Sequence, residues 1–176
     1  LFEDPPTDYL QETYGFTPTD AWYERARLAS LRMPGCSASF VSPNGLVLTN
    51  HHCAQRQIVA SDRGGEGLLD NGFQPTTTAE ERPVEGLFMD QAVAIDDVTD
   101  EMSAAVDAAE TDAEREAAFD AAEAAVTARL LTQYGIADPN PDTDDYVVQV
   151  VALYNGGRYS AYTFRRYDDL RMVAAP

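Results

Sequence analysis

Cys36 and Cys53, the two cysteines of the chain, bracket a segment whose residues favour a tight hairpin. Ser37 to Ser42 and Leu46 to Thr49 are strand-like, and Pro43-Asn44-Gly45 stands between them. The proline presets φ at the first turn position, and asparagine and glycine accept positive φ, which suits a three-residue loop with a glycine bulge. Such a hairpin brings together residues 36 and 53, which lie 17 positions apart. A disulfide there would pin the residue just before Cys53, and closing the loop is worth roughly 3 kcal/mol in the chain-entropy view. The even count supports oxidation and an exported location, while two reduced, buried cysteines are the other reading.

Thr49-Asn50-His51-His52-Cys53 also carries both histidines of the chain. A metal site of His51, His52 and Cys53 with Cys36 is one candidate. Successive side chains of an extended segment point to opposite faces, and zinc ligands usually stand two to four residues apart, so adjacent histidines rarely share an ion. No metal and no cofactor are therefore expected.

The 176 residues suffice for one domain, and the longest apolar runs fall short of the ~20 residues of a membrane span. Thirty acidic residues face twelve basic ones, all arginine, for a net charge of −18. That field repels phosphate backbones and argues against general nucleic-acid binding. An acidic, lysine-free, alanine-rich surface fits a saline habitat or a GC-rich genome alike. The chain opens on Leu1 with no leader-like segment ahead of the fold, so either a leader has been removed or the start lies elsewhere.

Along the chain, Pro5-Pro6 predicts an extended lead-in, and Thr17-Pro18-Thr19-Asp20 starts a helix expected from Asp20 to Leu31. Ala54 to Asp97, punctuated by Gly64-Gly65 and Asn71-Gly72, reads as loops and short strands. A short helix is expected at about 98–110. Thr111-Asp112-Ala113-Glu114 has the form of a capping box, and Phe119, Ala122, Val126 and Leu130 make one apolar stripe on a helix at about 112–134, ended by Gly135. After the turn-rich Asp138 to Asp145, Tyr146 to Tyr154 and Tyr159 to Tyr167 flank Asn155-Gly156-Gly157 as a second hairpin, and Leu170 to Val173 begins another strand. No internal repeat is present.

The stretch Gly35-Cys36-Ser37-Ala38-Ser39-Phe40-Val41-Ser42-Pro43-Asn44-Gly45-Leu46-Val47-Leu48-Thr49-Asn50-His51-His52-Cys53 closely resembles the surroundings of the catalytic histidine in the bacterial dipeptidyl-peptidase 7 and 11 family. Three other stretches agree: Asp70-Asn71-Gly72-Phe73 with the Thr-rich segment and Glu80-Glu81 that follow, Ile95-Asp96-Asp97-Val98-Thr99, and Tyr167 to Pro176. The resemblance implies a mixed fold, an antiparallel β-barrel forming the first half of a chymotrypsin-like double barrel, with a helical segment inserted at about 98–134. Residues 1–176 are then the N-terminal portion of the catalytic domain, with the second barrel and the large helical domain outside this chain.

It also implies a serine-type exopeptidase that releases dipeptides from oligopeptides with a free N-terminus. Such enzymes are periplasmic or extracellular, and the complete protein is expected to be a homodimer. Amide hydrolysis by serine needs a base near pKa 7, an aspartate to orient it and donors for the oxyanion. By the motif match the base is His52, with His51 a neighbour pointing elsewhere. None of Ser30, Ser61, Ser103 and Ser160 has a glycine on either side, and Ser37, Ser39 and Ser42 lie in the hairpin. The nucleophile and the triad aspartate are expected beyond Pro176, so the chain alone is expected to be inactive and only partly stable.

Asp97 follows His52 at a separation resembling that of base and aspartate in chymotrypsin, yet its surroundings read as a helix start, where a carboxylate accepts backbone N–H bonds. A non-catalytic binding or packing module is the alternative function. A trypsin-like endopeptidase is disfavoured by the helical excursion from Val98 to Tyr134.

Overall fold

Pro5 and Pro6 do not hold the chain extended. In the computed structural model, which describes residues 4–136 and 146–175, helix α1 (Thr7–Tyr14) begins directly after them. Proline loses nothing at a helix start, where its missing N–H has no intrahelical partner to serve, and Gly15, at φ +64°, closes α1 in the left-handed region. Helix α2 (Asp20–Ala29) is capped by Thr19, whose hydroxyl accepts the Trp22 N–H.

The helix expected to reach Leu31 stops at Ala29. Strand β1 (Ser30–Met33) starts there, burying Leu31 and Met33 and exposing Ser30 and Arg32. Alternating burial requires the two-residue period of a strand, and that outweighs local helix preference. Strands β2 (Cys36–Phe40) and β3 (Val47–Thr49) form the expected hairpin. Val41 N–H donates to the Leu46 carbonyl, and Gly45 sits at φ +83°, a value glycine takes without strain.

Two departures follow. Helix α3 (His51–Ala60) occupies a stretch expected to be extended and then irregular, and the nine-residue strand β5 (Met89–Asp97) replaces the short strands expected before residue 97. Between them lie α4 (Leu68–Asn71) and β4 (Arg82–Pro83). The loop joining α3 to α4 folds around one side chain. Asp62 Oδ1 accepts the N–H groups of Gly65 and Glu66, and Oδ2 those of Gly67 and Leu68. These bonds, led by that of Glu66, hold the Asp62 carboxyl below its ordinary value. Glu66 in turn takes a bidentate pair from Arg82, which lies over the Phe73 ring.

Helices α5 (Thr99–Asp107) and α6 (Asp112–Gln133) are close to expectation. The capping box is complete: Thr111 Oγ1 accepts the Glu114 N–H, and Glu114 returns a carboxylate to the Thr111 N–H. Removing one cap hydroxyl costs about 1 kcal/mol, so Thr111→Ala is expected to lower stability by that amount in chemical denaturation, whereas Thr127→Ala, in the interior of α6, should not. The turn-rich 138–145 lies outside the described residues. Strands β6 (Tyr146–Leu153) and β7 (Arg158–Tyr167) make the second hairpin, and β8 (Arg171–Met172) pairs with β4.

The order β3-β2-β1-β5-β7-β6 makes a six-stranded sheet; β1–β2, β2–β3, β1–β5 and β6–β7 are antiparallel. The fold is mixed, as expected. Among the described residues the sheet is not closed into a barrel, since β3 and β6 remain its edges. Two compact units divide the chain, Leu1–Pro18 with Ala92–Arg165 and Thr19–Gln91 with Arg166–Pro176. The first is built on the predicted stripe, with Val126 and Leu130 buried against Val98, Met102, Val150 and Ala161, and Phe119 and Ala122 packed beside them. The second has one core of Leu31, Met33, Leu87 and Met89 and another of Ile58, Leu68, Met172 and Ala175.

Candidate active site

Strand β3 delivers the histidines. Thr49 pairs with Ala38, and its hydroxyl donates to the Ser37 carbonyl at 2.9 Å, so the strand is fastened to β2 by backbone and side chain up to the residue before Asn50. Asn50 then turns the chain. Its carbonyl accepts the Cys53 N–H at 3.0 Å and starts α3, although its side chain makes no capping bond. His51 and His52 are thus the first two residues of a helix, and both are exposed. Neighbours on a helix do not share a face, so the two imidazoles diverge, as the sequence reading expected of them for a different backbone.

Cys36 and Cys53 are joined as a disulfide, with their Cα atoms 6.1 Å apart. His52 rests beside it: its Nε2 lies 3.4 Å from Cys53 Sγ and 3.9 Å from Cys36 Sγ. Cys36, His52 and Cys53 therefore gather their ligand-type atoms within 4.8 Å. Both sulfurs are bonded to each other, so neither is the thiolate a metal requires. Among the described residues, neither ring nitrogen of His52 meets a carboxylate or a hydroxyl.

Asp97 is engaged elsewhere. Its Oδ1 accepts the backbone N–H of Thr99 at 3.0 Å and the Thr99 hydroxyl at 2.6 Å, and its Oδ2 lies 3.5 Å from Arg158 Nε. The Thr99 hydroxyl first, then the Thr99 amide and the Arg158 charge, hold this carboxyl below its ordinary value. The expected helix-start role is what the carboxylate performs. Two of the three hairpin serines are also engaged: Ser42 Oγ accepts the Asn44 and Leu46 N–H groups, and Ser39 Oγ donates to the Phe40 carbonyl.

One charged centre in the same unit escaped the sequence reading. Asp90, on β5, is 1% exposed and receives Arg32 Nη2 at 2.8 Å, Arg166 Nε at 2.8 Å and Arg166 Nη2 at 3.2 Å. Arg166 also lies over the Phe88 ring, 4.0 Å from its centroid. Burial opposes the Asp90 charge, but the Arg166 and Arg32 hydrogen bonds outweigh it and hold the carboxyl below its ordinary range. This cluster clamps β5 to β1, the strand that carries β2 and its cysteine. Farther along α3, Gln57 and Ile58 line a groove of about 520 Å³ with Leu46, Val47, Val84 and Leu170; His52 lies outside it. No helix of the described residues is long and apolar enough to cross a membrane.

Comparison with known proteins gives a consistent result. The family described as Peptidase S46 matches residues 1–176. Dipeptidyl-peptidase 7 of Capnocytophaga gingivalis is 30% identical over 142 residues, covering 81% of this chain and 18% of that protein. The Asp/Glu-specific dipeptidyl-peptidase of the same organism is 32% identical over 142 residues, with the same coverage of 81% and 18%. Among solved structures, Porphyromonas endodontalis DPP11 is similar at a TM-score of 0.67 and 28% identity, over 85% of this chain and 20% of that one. The chain spans about a fifth of the length of these relatives, between 18% and 20%.

Proposed function

The chain belongs to the peptidase S46 family, and from that premise we propose that it is the N-terminal part of the catalytic domain of a serine-type dipeptidyl peptidase. The complete protein releases dipeptides from oligopeptides with a free N-terminus. His52 is its general base, taking the proton of a serine hydroxyl and giving it to the leaving amine. The serine, the orienting aspartate, the second barrel and the large helical domain belong to the remaining length that the relatives possess. The complete enzyme is exported and works as a homodimer.

The observation that carries this reading is the family match along the whole chain, with the names of the relatives. Within the chain, the placement of His52 supports its role: it stands exposed at a strand-to-helix junction, with no carboxylate or hydroxyl of the described residues on its ring. That is the state of a base whose partners come from elsewhere.

The test is dipeptide release by the complete protein from a peptide with a free α-amino group and from the same peptide acetylated. Release from the first only, abolished by a serine-directed fluorophosphonate, is expected. Equal cleavage of both, or no cleavage of either, overturns the proposal. Asp97→Asn is expected to change kcat less than about fivefold, against the roughly 10⁴-fold that loss of an orienting aspartate costs; a loss of that larger size would make Asp97 the triad aspartate.

A further inference from the structure

We infer that the Cys36–Cys53 disulfide is the positioning element for His52, fixing where the base stands rather than only stabilising the fold. The inference rests on His52 being the base. Helix α3 starts weakly: Asn50 makes no side-chain capping bond, the first turn holds no acidic residue to meet the helix dipole, and its first two residues are exposed. A first turn held so lightly frays, and a side chain on it wanders with the backbone.

The disulfide supplies what the cap does not. It bonds the third residue of α3 to the first residue of β2, and Cys36 is in turn registered opposite Met33 of β1, whose side chain is buried. The residue before Cys53 is thereby tied to the sheet through one side chain's length. In this structure both sulfurs also lie within 3.9 Å of the His52 Nε2, so the bond that tethers the backbone borders the ring as well. A base must stand within hydrogen-bond reach of the proton it removes, and a misplacement of about 1 Å costs on the order of 10²-fold. Anchoring the backbone at the residue next to the base narrows the positions the ring can take.

The experiment uses the complete enzyme in two arms. The first is the Cys36→Ser, Cys53→Ser double variant, assayed for kcat and KM at a temperature where circular dichroism shows it folded. The second is native reduction with tris(2-carboxyethyl)phosphine, which becomes its phosphine oxide as the S–S bond is converted to two thiols, with near-ultraviolet dichroism monitored throughout. At least a tenfold fall in kcat with KM unchanged is expected in both, recovered in the second arm when the thiols are reoxidised.

A folded double variant and a folded reduced enzyme that keep kcat within twofold overturn the inference, as does a change carried by KM alone. If the double variant does not fold, the reduction arm decides. Unfolding in both arms makes the bond a stability element and equally overturns it. His52→Ala is run alongside: activity surviving that change refutes the assignment of the base itself, which is a different failure.

Discussion

Replacing His52 with alanine in the complete protein is expected to lower kcat by roughly four to six orders of magnitude, the scale on which serine peptidases respond to loss of the triad base. His51→Ala should cost less than about tenfold. The contrast is sharp because the two residues match in type, exposure and secondary structure; they differ only in which way the helix points them. His52 faces the disulfide, held against Cys36 and Cys53. The proof is in paired kinetics of the two variants, with folding checked for each. Equal losses would mean that the pair acts as a unit, and a larger loss from His51 would reverse the roles.

Asp90→Ala is expected to be the most damaging substitution for stability in the second unit, at about 3 kcal/mol in urea unfolding, the lower end of what breaking a buried ion pair costs. The lower end applies because Arg32 and Arg166 are partly exposed and can turn toward water, whereas the Asp90 side chain is fully buried. Stability should carry the signature of the carboxylate too. The folded-state pKa is depressed below the unfolded value of about 3.9, so the contribution is present above that pH and is lost as pH falls through the folded value. Asp90→Asn should accordingly unfold with a shallower acid dependence than the parent. A loss under about 1 kcal/mol for Asp90→Ala, within reach of an ordinary surface change, would show that the two arginines do not depend on it.

These two centres differ in how far the sequence disclosed them. The β2–β3 hairpin, the capping box at Thr111 and the stripe from Phe119 to Leu130 are written in residues a few positions apart, and local reading placed them well. Helix α3 was missed because only Ile58 of its ten residues is buried, so no apolar period marks it, and its capping asparagine makes no capping bond. Strand β5 went unread as one element because no alternation marks it: only Met89 and Asp90 of its nine residues are buried, and one of the two is a charge. The residues that make the charge tolerable there lie 58 and 76 positions away along the chain, beyond any local window. The cysteine pair and His52 were legible as a motif, but the resting of the imidazole on the two sulfurs depends on the pitch of α3 and could be had only from the fold.

Asp62 has a consequence for survival among other proteolytic enzymes. Arg63, Gly64 and Gly65 form a combination that a trypsin-like enzyme cuts readily in a mobile chain, and all three are exposed. Cleavage requires the residues around the bond to be drawn out into an enzyme's cleft, and nicking concentrates where the backbone opens easily. Here opening means surrendering four hydrogen bonds, donated by backbone N–H groups to a single carboxylate, at once. The loop is protected from within, by the lone pairs of Asp62 and by Glu66, which accepts the Arg63 N–H, so an exposed arginine can stand in plain view and still be a poor place to cut.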